Sequence, residues 1–297
     1  MRAVLLLMSL AFGQSESITD HPTLAEFCET SLKELPMLDS AEDLAKACAK
    51  VKQLPNCQSM KGLPIFHYDR AGVSKNPKRI FVKSLIHGDE TMAGVMGRAW
   101  MTRLEKIDPR NSWRVVPIAN PDGWKLKTRM NANGVDLNRN FPTKDWEKSA
   151  LDYWKKNGKL DPRRNPGTGP ASEIETQCLV SHFEDFKPDF LISVHTPLGV
   201  LDLDGPKMRS PPSFRPLPWI SLGNFPGSLG RYMWVDRKIP VLTIELKGNE
   251  DLKKLEEFDR LQDIAGTIAI QAGRLQPKVK KPVSRKSDSK SASNSKE

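Results

Sequence analysis

Four short apolar runs along the chain stop on the same kind of residue. Ile80-Phe-Val-Lys-Ser-Leu-Ile86 runs into His87, Trp113-Arg-Val-Val-Pro-Ile-Ala119 into Asn120, Phe190-Leu-Ile-Ser-Val194 into His195, and Val241-Leu-Thr-Ile244 into Glu245. Runs of this length predict strands, and the stretches Thr91 to Lys106 and Ala171 to Phe186 between them read as helices. The alternation predicts an α/β fold with a sheet of largely parallel strands. Ligands in such folds bind beyond the carboxyl ends of the strands, where the four polar stops would gather. Residues 20 to 60 read as helical, with Ser40-Ala-Glu-Asp43 as a capping-box-like start followed by Leu44, Ala47, Cys48 and Val51 at helical spacing.

At 297 residues and 38% hydrophobic content, the chain suits a soluble globular protein with a sizeable core. Residues 1–13 place one arginine before a short apolar stretch that ends in Ala11-Phe12-Gly13, the pattern of a signal peptide. Export to the periplasm or the extracellular space is expected, with no transmembrane segment; a buried N-terminal element is the alternative. The four cysteines show no C-x-x-C spacing, which argues against a cysteine-zinc site. One disulfide is expected among Cys28, Cys48 and Cys57, with the pair left open and buried free thiols as the other reading. The net charge of +10 would suggest nucleic acid, yet half of it lies between Pro277 and Glu297, where seven Lys and Arg face two acids. Residues 273–297 therefore read as a disordered basic tail that could contact an anionic envelope, and no nucleic-acid partner is expected.

Burying His87 and Glu90 unpaired would cost several kcal/mol, so a cation or solvent must meet them. A hydrolytic zinc site needs three protein ligands and one open position. His87-x-x-Glu90 offers two, and His195 closes its own strand at the same expected edge of the sheet. Each signal is weak alone. Alternation along Val241-Leu-Thr-Ile-Glu245 puts Glu245 among apolar neighbours, where a raised pKa suits a general base. Gly134-Val-Asp-Leu-Asn-Arg-Asn-Phe-Pro142, preceded by Arg129, sets a guanidinium beside an amide, a fork for a carboxylate. Asn120-Pro-Asp-Gly123 reads as a turn before it.

In that order, HGDE, NPDG, GVDLNRNFP, SVH and TIEL resemble the zinc metallocarboxypeptidases of the carboxypeptidase A/B family, over roughly residues 64 to 272. The resemblance implies a single α/β domain, a mixed, mainly parallel eight-stranded twisted sheet flanked by helices, after an N-terminal helical segment at 14–63. It implies one Zn2+ ion bound by His87, Glu90 and His195, with Glu245 as general base. Arg129 would polarise the scissile carbonyl, Asn138 and Arg139 would grip the substrate's terminal carboxylate, and Asp136 would orient His87. Where the family has a mobile tyrosine, this chain offers Phe225, which can cover a substrate but cannot donate a hydrogen bond; Tyr232 would need another register.

The short strand-end loops, TRMNANGVDLNRNFP and PGSLG look like the bacterial branch that cleaves murein peptides between γ-D-glutamate and meso-diaminopimelate. Asp202 or Asp204, with Asp204 preferred, could meet the ammonium group of a basic terminal residue. A monomer is expected. The alternatives are a general secreted carboxypeptidase, a zinc-bound but weakly catalytic peptide-binding module, and a basic envelope protein that uses only its tail.

Overall fold

The computed structural model describes residues 22–37, 40–248 and 255–275. The expected leader at 1–13 lies outside them, as does the basic tail from residue 276; residues 273–275 still belong to a helix.

Seven strands form one sheet: β1 (Lys52–Gln58), β2 (Pro64–Arg70), β3 (Arg79–Lys83), β4 (Ser112–Val116), β5 (Phe190–His195), β6 (Val200–Asp204) and β7 (Val241–Glu245). Their order is β1-β2-β4-β3-β5-β7-β6, so the described residues hold one strand fewer than the eight expected. The four apolar runs are the four adjacent central strands, all mutually parallel. β1, β2 and β6 join antiparallel at the margins. The helices are α1 (Leu24–Lys33), α2 (Ala41–Cys48), α3 (Thr91–Lys106), α4 (Pro121–Leu126), α5 (Trp146–Lys156), α6 (Ile174–Phe186) and α7 (Leu255–Leu275).

Strand alternation divides the core between two faces. Ile80, Val82, Ile192, Val194, Leu242 and Ile244 point to the side covered by α1, α2, α3 and α7. Phe81, Leu191 and Val241 point the other way, against Leu179 and Phe183 of α6 and against Leu137 and Phe141. Trp100 on α3 is fully buried, and its indole N–H donates to the Phe258 carbonyl at 2.8 Å, which ties α3 to α7.

The N-terminal stretch is helical only in part. Thr23 and Glu26 form a capping box at the start of α1, and the Ser40 hydroxyl accepts the Asp43 N–H at the start of α2. Residues 52–58, expected to be helical, are instead the edge strand β1. Leu32, Leu35, Leu44 and Ala47 are buried in the same core as α3, so these helices are a layer of the domain itself.

Two disulfides fasten the outer elements. Cys28–Cys48 joins α1 to α2, as expected of the first three cysteines, while Cys57 takes the distant Cys178 and ties β1 to α6. For loops of 20 and 121 residues, chain-entropy reasoning gives about 3 and about 5 kcal/mol. Arg114 of β4 grips Asp69 of β2 through two hydrogen bonds (2.7 and 2.8 Å) and Asp185 of α6 through a third (2.6 Å), and lies over the Phe186 ring. Among the described residues no helix is long and apolar enough to cross a membrane.

Candidate metal and substrate site

The loop after β3 is held by its neighbour. Ala119 and Asn120 donate backbone N–H groups to the Ser84 and Leu85 carbonyls. Asn120 then caps α4: its Oδ1 accepts the Gly123 N–H at 2.9 Å, and its Nδ2 donates to the Ile86 carbonyl at 3.1 Å. Asn120-Pro-Asp-Gly123 is thus a helix start with Pro121 in the first helical position, where a turn was expected. Gly88 packs so close to Gly123 that a Cβ on it would sit 1.9 Å from the Gly123 carbonyl carbon, so this crossing admits no side chain. Within HGDE the acids then part ways, with Asp89 facing outward to Arg163 (2.9 Å) and Glu90 facing inward.

His87, Glu90 and His195 meet, with ligand-capable atoms within 4.8 Å of one another and all three residues buried. His87 Nδ1 lies 2.7 Å from Glu90 Oε1, and His195 Nδ1 lies 2.9 Å from Oε2. The far nitrogens are also held: His87 Nε2 is 3.1 Å from Asp136 Oδ1, and His195 Nε2 is 2.8 Å from the Ser193 hydroxyl. With the His87 Nε2–H given to Asp136, its Nδ1 presents a lone pair to a carboxylate oxygen. Two acceptors at that distance are reconciled only by a proton or a metal cation between them. Burial, with Lys83 nearby, pushes His195 down to about 3, so its imidazole is neutral, the form that ligates metal. Burial alone would raise the Glu90 carboxyl, but the two imidazoles outweigh it and hold the group well below the usual range. Two imidazoles and an ionised carboxylate are a donor set that fits zinc, and the outer hydrogen bonds are of the kind that orient ligating histidines.

The run 134–142 divides by side chain. Val135, Leu137 and Phe141 are buried in the core, which leaves Asp136, Asn138 and Arg139 free to serve the site. Asp136 is fully buried and accepts from Arg129 Nη2 (2.8 Å) and the Asn138 N–H (2.9 Å) as well as facing His87; these partners overcome its burial and hold it ionised. Arg129 also sets Nη1 3.1 Å from His87 Nδ1, at the edge of the ligand cluster. Asn138 Oδ1 accepts the Leu229 N–H (3.0 Å). Arg139 is half-buried, and desolvation lowers its pKa. Among the described residues its one side-chain hydrogen bond goes from Nη1 to the Asn138 carbonyl (2.8 Å), and its guanidinium lies 5.0 Å from the centre of the Phe225 ring. Tyr232 is no substitute for a site tyrosine, because it is buried and stacked on Phe141.

His87, Glu90, Arg129, Asn138, Arg139 and Phe225 line one cavity of about 450 Å³ over the carboxyl ends of the central strands. Same-face residues supply its floor: Ser193 and His195 from β5, Thr243 and Glu245 from β7, Asp202 and Asp204 from β6. Burial, reinforced by the charge of Glu90, pushes the Glu245 carboxyl up to about 7. Asp202 and Asp204 sit beside Thr243 and Val241, successive steps down the strand from the level of Glu245. Asp202 accepts the Leu222 N–H and Asp204 accepts from Asn224; burial raises both carboxyls, and Asp204 raises Asp202 further. Arg163 and Arg164 line the same cavity.

The sequence reading left out Lys83, Ser193 and these two arginines. Lys83 is fully buried, its Nζ 3.1 Å from His195 Nε2, and burial pushes it down to about 7 against the pull of Glu90, Asp136 and Glu245. A lysine in the middle of Ile80-Phe-Val-Lys-Ser-Leu-Ile86 was the available signal.

A mixed sheet carrying a His, Glu, His cluster at the carboxyl ends of its parallel strands, beside a cavity walled by arginine, defines the metallopeptidase class. The chain belongs to the zinc carboxypeptidase family, whose sequence profile matches residues 48–201, more than half of the chain. That match ends before Phe225 and Glu245. Murein peptide amidase A of Vibrio campbellii is 31% identical over 195 residues, which cover 64% of this chain and 77% of that protein. Murein peptide amidase A of Escherichia coli K12 is 33% identical over 147 residues, and this chain spans 59% of its length. The solved murein-tripeptide amidase of Escherichia coli O157 superposes with a TM-score of 0.52 and 25% identity over 77% of this chain and 93% of that one. Bovine thrombin-activatable fibrinolysis inhibitor, at 18% identity and a TM-score of 0.57 over 78% of this chain and 94% of that one, shares the fold.

Proposed function

We propose that this protein is a zinc-dependent peptidase that hydrolyses the bond before a free C-terminal residue, with murein peptides as its substrates and the γ-D-glutamyl–meso-diaminopimelate bond as the point of cleavage. The observation that carries this reading is the convergence of two imidazole Nδ1 atoms on one buried carboxylate at the end of a cavity holding unpaired charges of both signs. His87, Glu90 and His195 would hold one zinc ion, which would supply Lewis-acid chemistry at this end of the cavity. Glu245 takes the proton of the attacking water and hands it to the departing nitrogen. Arg129 donates to the carbonyl oxygen as charge develops there, while Asp136 keeps His87 in the tautomer that presents Nδ1.

Arg139, with the Asn138 amide beside it, takes the terminal carboxylate. Asp204, supported by Asp202, takes an ammonium group further along the substrate's side chain. Diaminopimelate carries both groups, and the named murein amidases among the relatives support that choice. Two disulfides fit export to an oxidising compartment. Phe225 covers the pocket without a hydroxyl, which favours a peptide-binding module as the second reading; Glu245 at the metal cluster weighs against it. Mass spectrometry of muropeptides digested with the wild type, and with Glu245→Gln as the blank, is the test. Zinc-loaded protein that leaves murein tri- and tetrapeptides intact, and ordinary peptides as well, would refute the peptidase reading.

A further inference from the structure

A second group of metal-capable side chains lies on the α6 face of the sheet, and it shares no residue with the Glu90 cluster. Cys57, Cys178 and His182 bring their sulfur and nitrogen atoms within 4.8 Å of one another, all three buried. The two sulfurs are joined as a disulfide. His182 is the unexplained member: it is fully buried, and neither ring nitrogen has a hydrogen-bond partner. It follows Cys178 by four residues on α6, the spacing that puts two side chains on one helix face. His67 on β2 stands against it, ring centres 4.9 Å apart, and its Nδ1 is buried and unpartnered as well. Two unpartnered His182 nitrogens thus lie beside two cysteines, and a third, His67 Nδ1, lies one ring further out with His67 Nε2 turned to Asp69 (3.6 Å), whereas buried polar atoms are normally satisfied.

We propose that Cys57, Cys178 and His182, with His67 as the fourth ligand, form a zinc-type metal site that opens when the Cys57–Cys178 disulfide is reduced. In the first step an external dithiol is oxidised to its own disulfide and delivers two electrons and two protons to the S–S bond, giving two thiols. A divalent ion then binds both sulfurs as thiolates and releases those two protons. Two thiolates and two neutral imidazoles are a standard tetrahedral donor set for zinc. Burial pushes His182 down to about 3, which keeps its ring neutral and able to ligate. Metal would take over the task of the disulfide, holding edge strand β1 to α6 in reducing surroundings. Access is through β1, whose side chains are mostly exposed and which has one free edge.

The probe is cobalt(II), because thiolate ligands give it a near-ultraviolet charge-transfer absorption that a His, Glu, His site cannot produce. The full chain is reduced with a phosphine, its thiols are counted, and cobalt is titrated in. The expected result is one cobalt per chain showing this absorption when reduced and none when oxidised. The absorption persists in Cys28→Ser/Cys48→Ser and vanishes in Cys57→Ser/Cys178→Ser. His182→Asn keeps both thiols but binds at least about tenfold more weakly, since losing a ligand costs no less than losing an outer hydrogen bond does. Should the reduced chain lose its near-ultraviolet circular dichroism, cobalt must restore it. No thiolate absorption from the reduced chain, unchanged affinity in His182→Asn, or an unfolded reduced chain that cobalt fails to rescue would each overturn the proposal.

Discussion

Replacing Arg139 by Met separates what that side chain does for the substrate from what it does for the fold. A guanidinium offers five N–H donors, and Arg139 uses one of them, on the Asn138 carbonyl. A terminal carboxylate docking on the rest makes two charge-assisted hydrogen bonds, each worth about 1.5–3 kcal/mol. Their loss, about 3–6 kcal/mol, lowers kcat/KM by roughly 10²- to 10⁴-fold. The fold gains or is unaffected, because no carboxylate of the described residues pairs with this desolvated cation, and Met keeps the apolar contact with Phe225. The assay compares a peptide bearing a free C-terminal carboxylate with its C-terminal amide, alongside thermal melting. Wild type should prefer the acid by the factor above, and Arg139→Met should lose that preference while its melting temperature holds or rises. Two results would refute the reasoning: a preference for the acid that survives the substitution, or an equal fall on both peptides together with a lower melting temperature, which would make Arg139 a structural residue.

Glu245→Gln should lower kcat by at least about 10²-fold with zinc content unchanged. Because the Glu245 carboxyl lies up at about 7 and must be ionised to accept a proton, wild-type kcat/KM should fall as pH drops below that region, as a pH–rate profile would show. The same raised pKa makes its contribution to stability greatest below about pH 4.3, the ordinary glutamate value, and lost as pH rises through 7; denaturant melts of metal-free protein should show a flatter profile in Glu245→Gln. Asp204→Asn should cost about 10-fold or more in kcat/KM for peptides ending in a basic residue and leave neutral ones unchanged; equal losses on both would remove the ammonium assignment. Asp69→Asn should destabilise the fold by about 2–3 kcal/mol, a value reduced for the solvent-exposed edge of the pair. Despite partial burial, Arg114 holds the Asp69 carboxyl far below its usual range, so this contribution is present at neutral pH and lost as pH falls below about 4. Acid denaturation of the wild type against Asp69→Asn measures it.

What the sequence disclosed follows from where each strand lies. Central parallel strands are buried on both faces and read as unbroken apolar runs, so β3, β4, β5 and β7 stood out, along with the polar residues that end them. Marginal strands carry no such mark. β1 contains Pro55 and Asn56, and only Cys57 among its residues is buried, so nothing in it distinguishes a strand from a loop. β6 alternates Leu201 and Leu203 with Asp202 and Asp204, a strand signature that the following Asp204-Gly205 pair disguised as a turn. The His87, Glu90 and His195 cluster was legible because such residue types are rare in a core and their order along the chain matched a family. The pairing of Cys57 with Cys178 was not, since contacts across 121 residues leave no trace in local spacing. Lys83 was hidden for a different reason: a single charge inside an apolar run reads as an interruption until the register sets it beside Ser193 and His195.

The cavity concentrates charges that the fold alone would not keep. Arg139 makes no direct ion pair with a carboxylate among the described residues and feels Asp136 only at a distance, Asp202 and Asp204 have no cation paired with them there, and Lys83 is desolvated against three carboxylates. Each arrangement opposes folding, since desolvating a charge without a close partner is unfavourable. Stability must then come from elsewhere, and the structure places it at the periphery: the Arg114 network with Asp69 and Asp185, the two disulfides, and the Trp100 contact between α3 and α7. The unpaired cation and the unpaired acids stand among the walls of one cavity, so a ligand carrying a carboxylate and an ammonium at matching separation neutralises both at once, whereas a ligand with one of these groups leaves the other desolvated. Under the proposed function, selectivity for a doubly charged terminal residue is the expected consequence of that asymmetry, because a poor substrate would lose one contact and leave a buried charge uncompensated as well.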